Sequence, residues 1–199
     1  EVEQAMGKRC GPVALRYSRE VEPLGTGGAL RHALALCPPP VLVLNGDTYA
    51  KLDMSRFGGA ATARRGHPVT AALRYLHDTA GYGVCHLPGG YGRASLRRVA
   101  RLGEGSAGVA GYVNAGAYLV LADPFQGLDL PAACSFERDV LPALAGRYDL
   151  GAHIMTGWFC DIGTPAGLLR ARAELPGQAR DDGSTAARIP RNRRPSDGR

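Results

Sequence analysis

The chain lacks any apolar run approaching the roughly 20 residues that a membrane-spanning helix needs, so no such span is expected. It opens on Glu1, Glu3 and Gln4, the wrong start for a signal peptide, and its first residue is not Met. No C-x-x-C pair occurs: the five cysteines (Cys10, Cys37, Cys85, Cys134, Cys160) are odd in number and far apart. That argues against a disulfide framework and against a zinc site, and reads as buried thiols in a reducing cytoplasm. The five histidines show no ligand spacing. No Gly-Lys-Ser/Thr follows a glycine-rich loop, which excludes a Walker phosphate loop. A concentrated basic patch is also missing. The formal net charge is +6, but residues 180–199 hold six Arg and three Asp, so half of the excess lies in a polar, Pro-containing tail. A nucleic-acid binder needs its charge on a folded face. The modest remainder suits small anionic substrates such as phosphates.

With 45% hydrophobic and 21% charged residues in 199, the composition is that of one globular domain. We read 1–176 as that domain and 177–199, rich in Arg, Asp, Ser, Gly and Pro, as a disordered basic tail that packs against nothing. Strands are predicted over Val13–Tyr17, Val41–Leu44, Val69–Leu76, Val84–Leu87 and Tyr112–Leu121, with an extended stretch over Leu150–Cys160. Val41–Leu44 is a continuous apolar run of the kind buried on both faces. Helices are predicted over Ala29–Leu36, Ser55–Arg65, from a Ser135 cap to about Leu144, and from Thr164-Pro165 to about Leu175. Pro88-Gly89-Gly90 reads as a hairpin turn and Arg101–Gly111 as irregular. Helices alternating with apolar strands predict an α/β fold with a mostly parallel, Rossmann-like sheet.

Three features could carry chemistry. Asp47 follows the Val41–Leu44 strand directly, at the strand end where open α/β sheets bind ligands. With Asn45 and Gly46 it offers an amide, a flexible backbone point and a carboxylate able to hold Mg²⁺ beside phosphate oxygens. The competing reading is an Asx turn or cap. Asp161 lies just before the last helix, where a carboxylate also suits the helix dipole. Two loop-borne carboxylates could converge on one metal. The Leu24–Gly28 loop (LGTGG) precedes a helix and could offer backbone N–H groups to a phosphate or a base, or could be a plain turn.

The segments Glu22–Ala29 (EPLGTGGA), Leu44–Thr48 (LNGDT), Tyr82-Gly83-Val84, Tyr112–Tyr118 (YVNAGAY), Ser135–Pro142 (SFERDVLP) and Asp161–Pro165 (DIGTP) occur in the order and spacing of the nucleotide-diphospho-sugar transferase family, over roughly residues 13–175. The chain resembles that family, and its wording is most similar to heptose-1-phosphate and mannose-1-phosphate guanylyltransferases. The resemblance implies transfer of a nucleotidyl group from a nucleoside triphosphate, GTP by preference, to a sugar 1-phosphate, with Mg²⁺ as cofactor, in the cytoplasm. It implies nucleotide contacts at Pro23, Leu24, Gly25, Thr26, Gly27, Asn45 and Gly46, and sugar contacts at Gly83, Glu104 and Asn114. It implies catalytic, metal-holding roles for Asp47 and Asp161. No nucleic acid or membrane partner is implied, and a homo-oligomer stays open. A non-catalytic sugar-nucleotide-binding module is the alternative.

Two departures stand out. The family opens with a strand and a G-G-x-G-T-R-L loop followed by a catalytic Lys, and neither occurs here. The fold is therefore expected to lack its N-terminal strand and loop, and this chain alone to be inactive. The family also usually follows its sugar-binding Glu with Lys, where this chain has Gly105.

Overall fold

The computed structural model describes residues 2–63, 67–88 and 96–178. In chain order the elements are α1 (Val2–Met6), β1 (Arg9–Cys10), β2 (Val13–Ala14), α2 (Gly25–Leu34), β3 (Val41–Leu44), β4 (Thr48–Ala50), α3 (Met54–Ala63), β5 (Val69–Leu76), β6 (Gly83–His86), β7 (Leu96–Arg98), β8 (Arg101–Glu104), β9 (Gly111–Val120), a π-helical turn (Phe136–Val140), α4 (Leu141–Gly146), β10 (Leu150–Met155), β11 (Phe159–Asp161) and α5 (Pro165–Gln178). Gly177 and Gln178, expected to open the disordered tail, are the last residues of α5. The rest of that tail, the Pro88-Gly89-Gly90 turn beyond Pro88 and the end of the Ser55–Arg65 helix lie outside the described residues.

Seven strands form the central sheet in the order β7-β10-β5-β9-β6-β8, with β3 paired to β9 alongside β6. Its middle is β5 and β9, which are buried along most of their length because helices cover both faces. Successive strand residues point to opposite faces. Val69, Ala71 and Leu73 accordingly join a core with Tyr118, Val120, Phe136, Val140, Leu141 and Leu144. Ala72 turns the other way, into a second core with Phe57 of α3, Val113, Ala115, Met155 and Phe159. Burying each such large side chain contributes about 1.5–3 kcal/mol.

The expected α/β class with flanking helices is what the chain adopts, but the sheet is not mostly parallel. Among the described strands only β5 and β10 pair in parallel. β3, β5 and β6 all run against β9, which is inserted among them. Strand pattern in a sequence carries no direction, so the reversal at β9 was invisible there.

Other differences are local. Val41–Leu44 alternates half-buried and exposed residues, with Leu44 59% exposed, and among the described residues its only strand partner is β9. β2 stops at Ala14 and pairs with β1 in a small exposed ribbon. Arg101–Glu104, expected to be irregular, is β8, held by β6. Cys85, Cys134 and Cys160 are buried thiols as expected, whereas Cys10 and Cys37 are exposed.

Candidate functional site

The strand β3 ends at Leu44 and passes through Asn45-Gly46-Asp47 into β4, which pairs antiparallel with β11. In that register Asp161 faces Thr48, and the Ile162 N–H donates to the Asp47 carbonyl oxygen at 2.8 Å. The two carboxylates are thus brought to one place by backbone pairing. Asp161 Oδ1 and Asp47 Oδ2 lie 3.1 Å and 3.2 Å from the point a Gly163 Cβ would occupy, so those two oxygens are separated by no more than the sum of the two distances. Asp161 Oδ1 also accepts from the Gly163 N–H at 2.8 Å. Asp47 is exposed and Asp161 half-buried.

The pair opens into a cleft of about 790 Å³. Asn45, Asp47, Gly83, Glu104, Asn114 and Asp161 line it, six of the residues singled out from the sequence. Asn114 reaches it through an irregularity in β9. Ala71 pairs with Tyr118 but Leu73 pairs with Asn114, so β9 carries extra residues there and bulges. Gly116 sits in the bulge at φ +66°, a conformation that disfavours a side chain. A Cβ on it would also press within 3.0 Å of Asn45. The bulge turns Asn114 so that its Oδ1 accepts from the Gly116 N–H at 3.1 Å and its Nδ2 donates to the Tyr118 hydroxyl at 2.6 Å. Tyr118 is fully buried, and burial, reinforced by the nearby Glu137 carboxylate, pushes its pKa well above the usual tyrosine range.

The predicted nucleotide loop is placed differently. Pro23, Leu24, Gly25, Thr26, Gly27 and Gly46 are not among the residues lining the cleft. Helix α2 begins at Gly25, not at Ala29, so Gly25-Thr26-Gly27-Gly28 is its first turn. The reason is close packing against the 132–136 segment. The N–H groups of Gly27 and Gly28 both donate to the Cys134 carbonyl oxygen, at 2.8 and 3.3 Å, and are not free for a ligand. Gly25, at φ +67°, would bring a Cβ to 2.6 Å from that same oxygen, and a Cβ on Gly28 would collide with the Ala132 carbonyl. Valine at these positions would therefore test the fold before it tested nucleotide affinity.

Thr26 joins this turn to the cleft. Its hydroxyl accepts from the Phe136 N–H and donates to Glu137 Oε2, both at 2.8 Å. Glu137 and Arg138 line the cleft on the π-helical turn, which Ser135 caps by accepting from the Arg138 N–H at 3.1 Å. Sequence reasoning found the Ser135 cap and quoted the SFERDVLP stretch but gave Glu137 and Arg138 no role. Tyr82, quoted in the Tyr82-Gly83-Val84 stretch but likewise given no role, also lines the cleft, its ring packed against Phe159 with centroids 5.9 Å apart. Burial, and then the charge of Asp161, raise the Tyr82 pKa. Gly105, which stands where the resemblance calls for Lys, packs its Cα against the Thr79 carbonyl so closely that no side chain fits.

An acidic cleft of this kind, with Asp47, Asp161, Glu104 and Glu137 in its wall, binds anions only with a cation between. Two close carboxylates fit Mg²⁺, which takes one or two protein oxygens and completes its shell with water and phosphate. Among the described residues no cluster of three or more His, Cys, Asp or Glu side chains could hold a metal unaided.

A ligand cleft at the strand ends of a helix-flanked α/β sheet is a small-molecule site common to many functions, and comparison with known proteins narrows this. No profile of a known protein family matches the chain. It is 30% identical over 153 residues to D-glycero-alpha-D-manno-heptose 1-phosphate guanylyltransferase of Campylobacter jejuni, covering 77% of this chain and 64% of that protein. To the enzyme of that name from Aneurinibacillus thermoaerophilus it is 29% identical, covering 87% and 73%. The crystal structure of HddC from Yersinia pseudotuberculosis complexed with GMP-PN superposes with a TM-score of 0.63 at 27% identity, covering 78% and 64%. The chain is thus similar to enzymes named as sugar 1-phosphate guanylyltransferases, in keeping with the resemblance its motifs carry. It spans about two thirds of the length of these relatives.

Proposed function

We propose that the protein carrying this sequence transfers a nucleotidyl group from a nucleoside triphosphate, GTP by preference, to a sugar 1-phosphate of the heptose or mannose type. The observation that carries the reading is the convergence of Asp47 and Asp161 in one cleft with Asn114 and Glu104. A phosphate oxygen of the sugar 1-phosphate attacks the α-phosphorus in line. The bond from that phosphorus to the bridging oxygen breaks, and pyrophosphate leaves with the electron pair. The attacking oxygen is already anionic, so no general base is needed, and positioning and charge neutralisation dominate.

Asp47 and Asp161 would hold Mg²⁺, which when bound offsets phosphate charge and orients the reacting groups. Asn114, fixed at both ends of its amide, and Glu104 on β8 would orient the sugar, with Gly83 leaving room for its ring. The nucleobase would lie near Pro23–Gly27 and the Asn45-Gly46 turn. Gly27 and Gly28 spend their N–H groups on Cys134, and Leu24 donates to Glu20 and accepts from the Cys134 N–H, so contacts there would fall to the backbone N–H groups of Gly25 and Thr26 at the helix start. Cytoplasmic sugar-nucleotide synthesis suits the reading. Among the described residues no helix is long and apolar enough to cross a membrane.

The test is pyrophosphate release from GTP with heptose 1-phosphate or mannose 1-phosphate and Mg²⁺, using the complete protein that carries this sequence. Turnover with either sugar phosphate, abolished by Asp47→Ala, is expected. Absence of turnover with every sugar 1-phosphate and triphosphate combination overturns the reading.

A further inference from the structure

Resting on the reading above, we propose that Arg138 is the residue that binds the phosphate of the sugar 1-phosphate. Among the described residues lining the cleft it is the one cationic side chain, against Asp47, Asp161, Glu104 and Glu137. A dianionic phosphate entering such a wall meets net repulsion unless a cation receives it. Mg²⁺ held by the two aspartates would offset the charge beside them, and Arg138 is the cation that the described chain itself brings to the cleft.

The neighbours of Arg138 are committed elsewhere. Glu137 accepts from Thr26 at 2.8 Å, and Asp139 Oδ2 accepts from the Ser135 N–H at 2.7 Å. None of the residues in the described ion pairs, Arg19–Glu3, Arg56–Asp53 and Arg170–Glu174, lines the cleft. Among the described residues the Arg138 guanidinium has no ion-pair or hydrogen-bond partner, while its backbone is fixed by the Ser135 cap. A guanidinium on an anchored turn, exposed and unpaired, presents its fork of N–H donors to a phosphate.

Its position selects the sugar side. Glu137, one residue earlier round the turn, is directed to Thr26 and the start of α2, whereas Arg138 is on the cleft wall with no such tie. The turn continues into α4, which packs on β8, the strand that ends in Glu104. Leu102 of β8 and Pro142 of α4 line the cleft with Arg138. Beside Glu104, position 105 cannot supply a cation, because the Thr79 carbonyl occupies the space a side chain would need.

The experiment compares wild type, R138Q and R138K by calorimetric titration with mannose 1-phosphate, unphosphorylated mannose and GTP, each with Mg²⁺. We expect R138Q to weaken mannose 1-phosphate binding about 10- to 100-fold, the usual effect of losing a charged hydrogen-bond partner. R138K should recover part of that loss, and GTP and mannose affinities should change less than about twofold. Unchanged mannose 1-phosphate affinity in R138Q, or an equal loss for GTP, overturns the proposal and leaves the nucleotidyltransferase reading standing. If wild type binds no sugar 1-phosphate, inorganic phosphate is titrated instead. A phosphate site lost in R138Q then upholds Arg138 as the phosphate ligand while the sugar 1-phosphate reading falls, and no phosphate site at all overturns both. Since Arg138 is exposed and unpaired, R138Q should melt with wild type, and R138K provides the same comparison with the charge kept.

Discussion

At the start of α2 and at the ends of β3 and β11 the chain uses glycine in two different ways. In Gly25-Thr26-Gly27-Gly28 the space of every missing side chain is taken by the protein itself: by Cys134, Phe136, Ala132 and Leu24. In the aspartate loops the space stays open at Gly46, where nothing lies within 4 Å of a Cβ, and at Gly163 it is bounded by the two carboxylates alone, at 3.1 and 3.2 Å. One segment is a joint between α2 and the π-helical turn, and the other is a mouth. A glycine in a sequence says that a Cβ is unwelcome there, not whether protein or ligand claims the room.

The largest effect should come from filling the joint. Gly28→Val drives a side chain into the Ala132 carbonyl and the Leu24 Cβ, both fixed by backbone hydrogen bonding of the 132–136 segment. Overpacking against backbone cannot be relieved by a rotamer change, and we expect a loss of at least about 3–5 kcal/mol, a large share of a domain's stability. Urea denaturation measures it. A Gly28→Val protein with the wild-type midpoint would break the distinction between joint and mouth.

At the mouth the effect should fall on chemistry. Asp161→Asn keeps an acceptor for the Gly163 N–H and removes a charge beside Asp47, so stability should hold or rise slightly, since two close carboxylates repel. Nucleotidyl transfer by the complete protein should fall about 10²–10³-fold, the usual result of removing one charge-stabilising group. Wild-type turnover in Asp161→Asn would remove this carboxylate from the mechanism.

How far this contrast was legible in the sequence differs residue by residue. Val69–Leu76 was read correctly end to end, because its β-branched and apolar run is buried where the pattern says it should be. Val41–Leu44 has the same pattern yet has one strand partner among the described residues. Its burial depends on a neighbouring strand, and neighbours are a tertiary fact. The aspartates were marked by their place at strand ends, and the resemblance joined them, but no spacing between positions 47 and 161 predicts that β4 and β11 pair. The joint was misread because LGTGG offers the same glycines whether a ligand or the Cys134 carbonyl fills the gap. Arg138 and Glu137 escaped because the direction of a side chain on a π-helical turn follows no 3.6-residue period.

A smaller effect should come from the hydroxyl that ties the joint together. Thr26→Val removes the acceptor for the Phe136 N–H and the donor to Glu137. The exchange is nearly isosteric, so the cost is that of the hydrogen bonds, about 1–3 kcal/mol, and Thr26→Ser should restore most of it. Thermal unfolding of the three proteins checks this. Equal melting of wild type and Thr26→Val would mean that the joint is held by the glycine contacts alone.

The smallest effect on stability should be Gly46→Ala, and it is the sharpest probe of the mouth. Gly46 is not among the glycines at positive φ, so alanine meets no backbone penalty, and a methyl group there meets no protein atom within 4 Å. Where the folded conformation suits the new residue, Gly→Ala restricts the unfolded chain and stabilises by about 0.4–1 kcal/mol. The folded protein should therefore be unchanged or slightly more stable in urea. If the open space belongs to a ligand that approaches the backbone closely, the same methyl group should raise KM for the triphosphate several-fold in the complete protein, with melting unaffected. Stability and KM are thus expected to part company at Gly46, in contrast to Gly28, where the fold itself fails first. A Gly46→Ala protein with wild-type KM would show that no ligand comes close at that point, and the nucleotide contact expected of Gly46 would have to be withdrawn while Asp47 and Asp161 kept theirs.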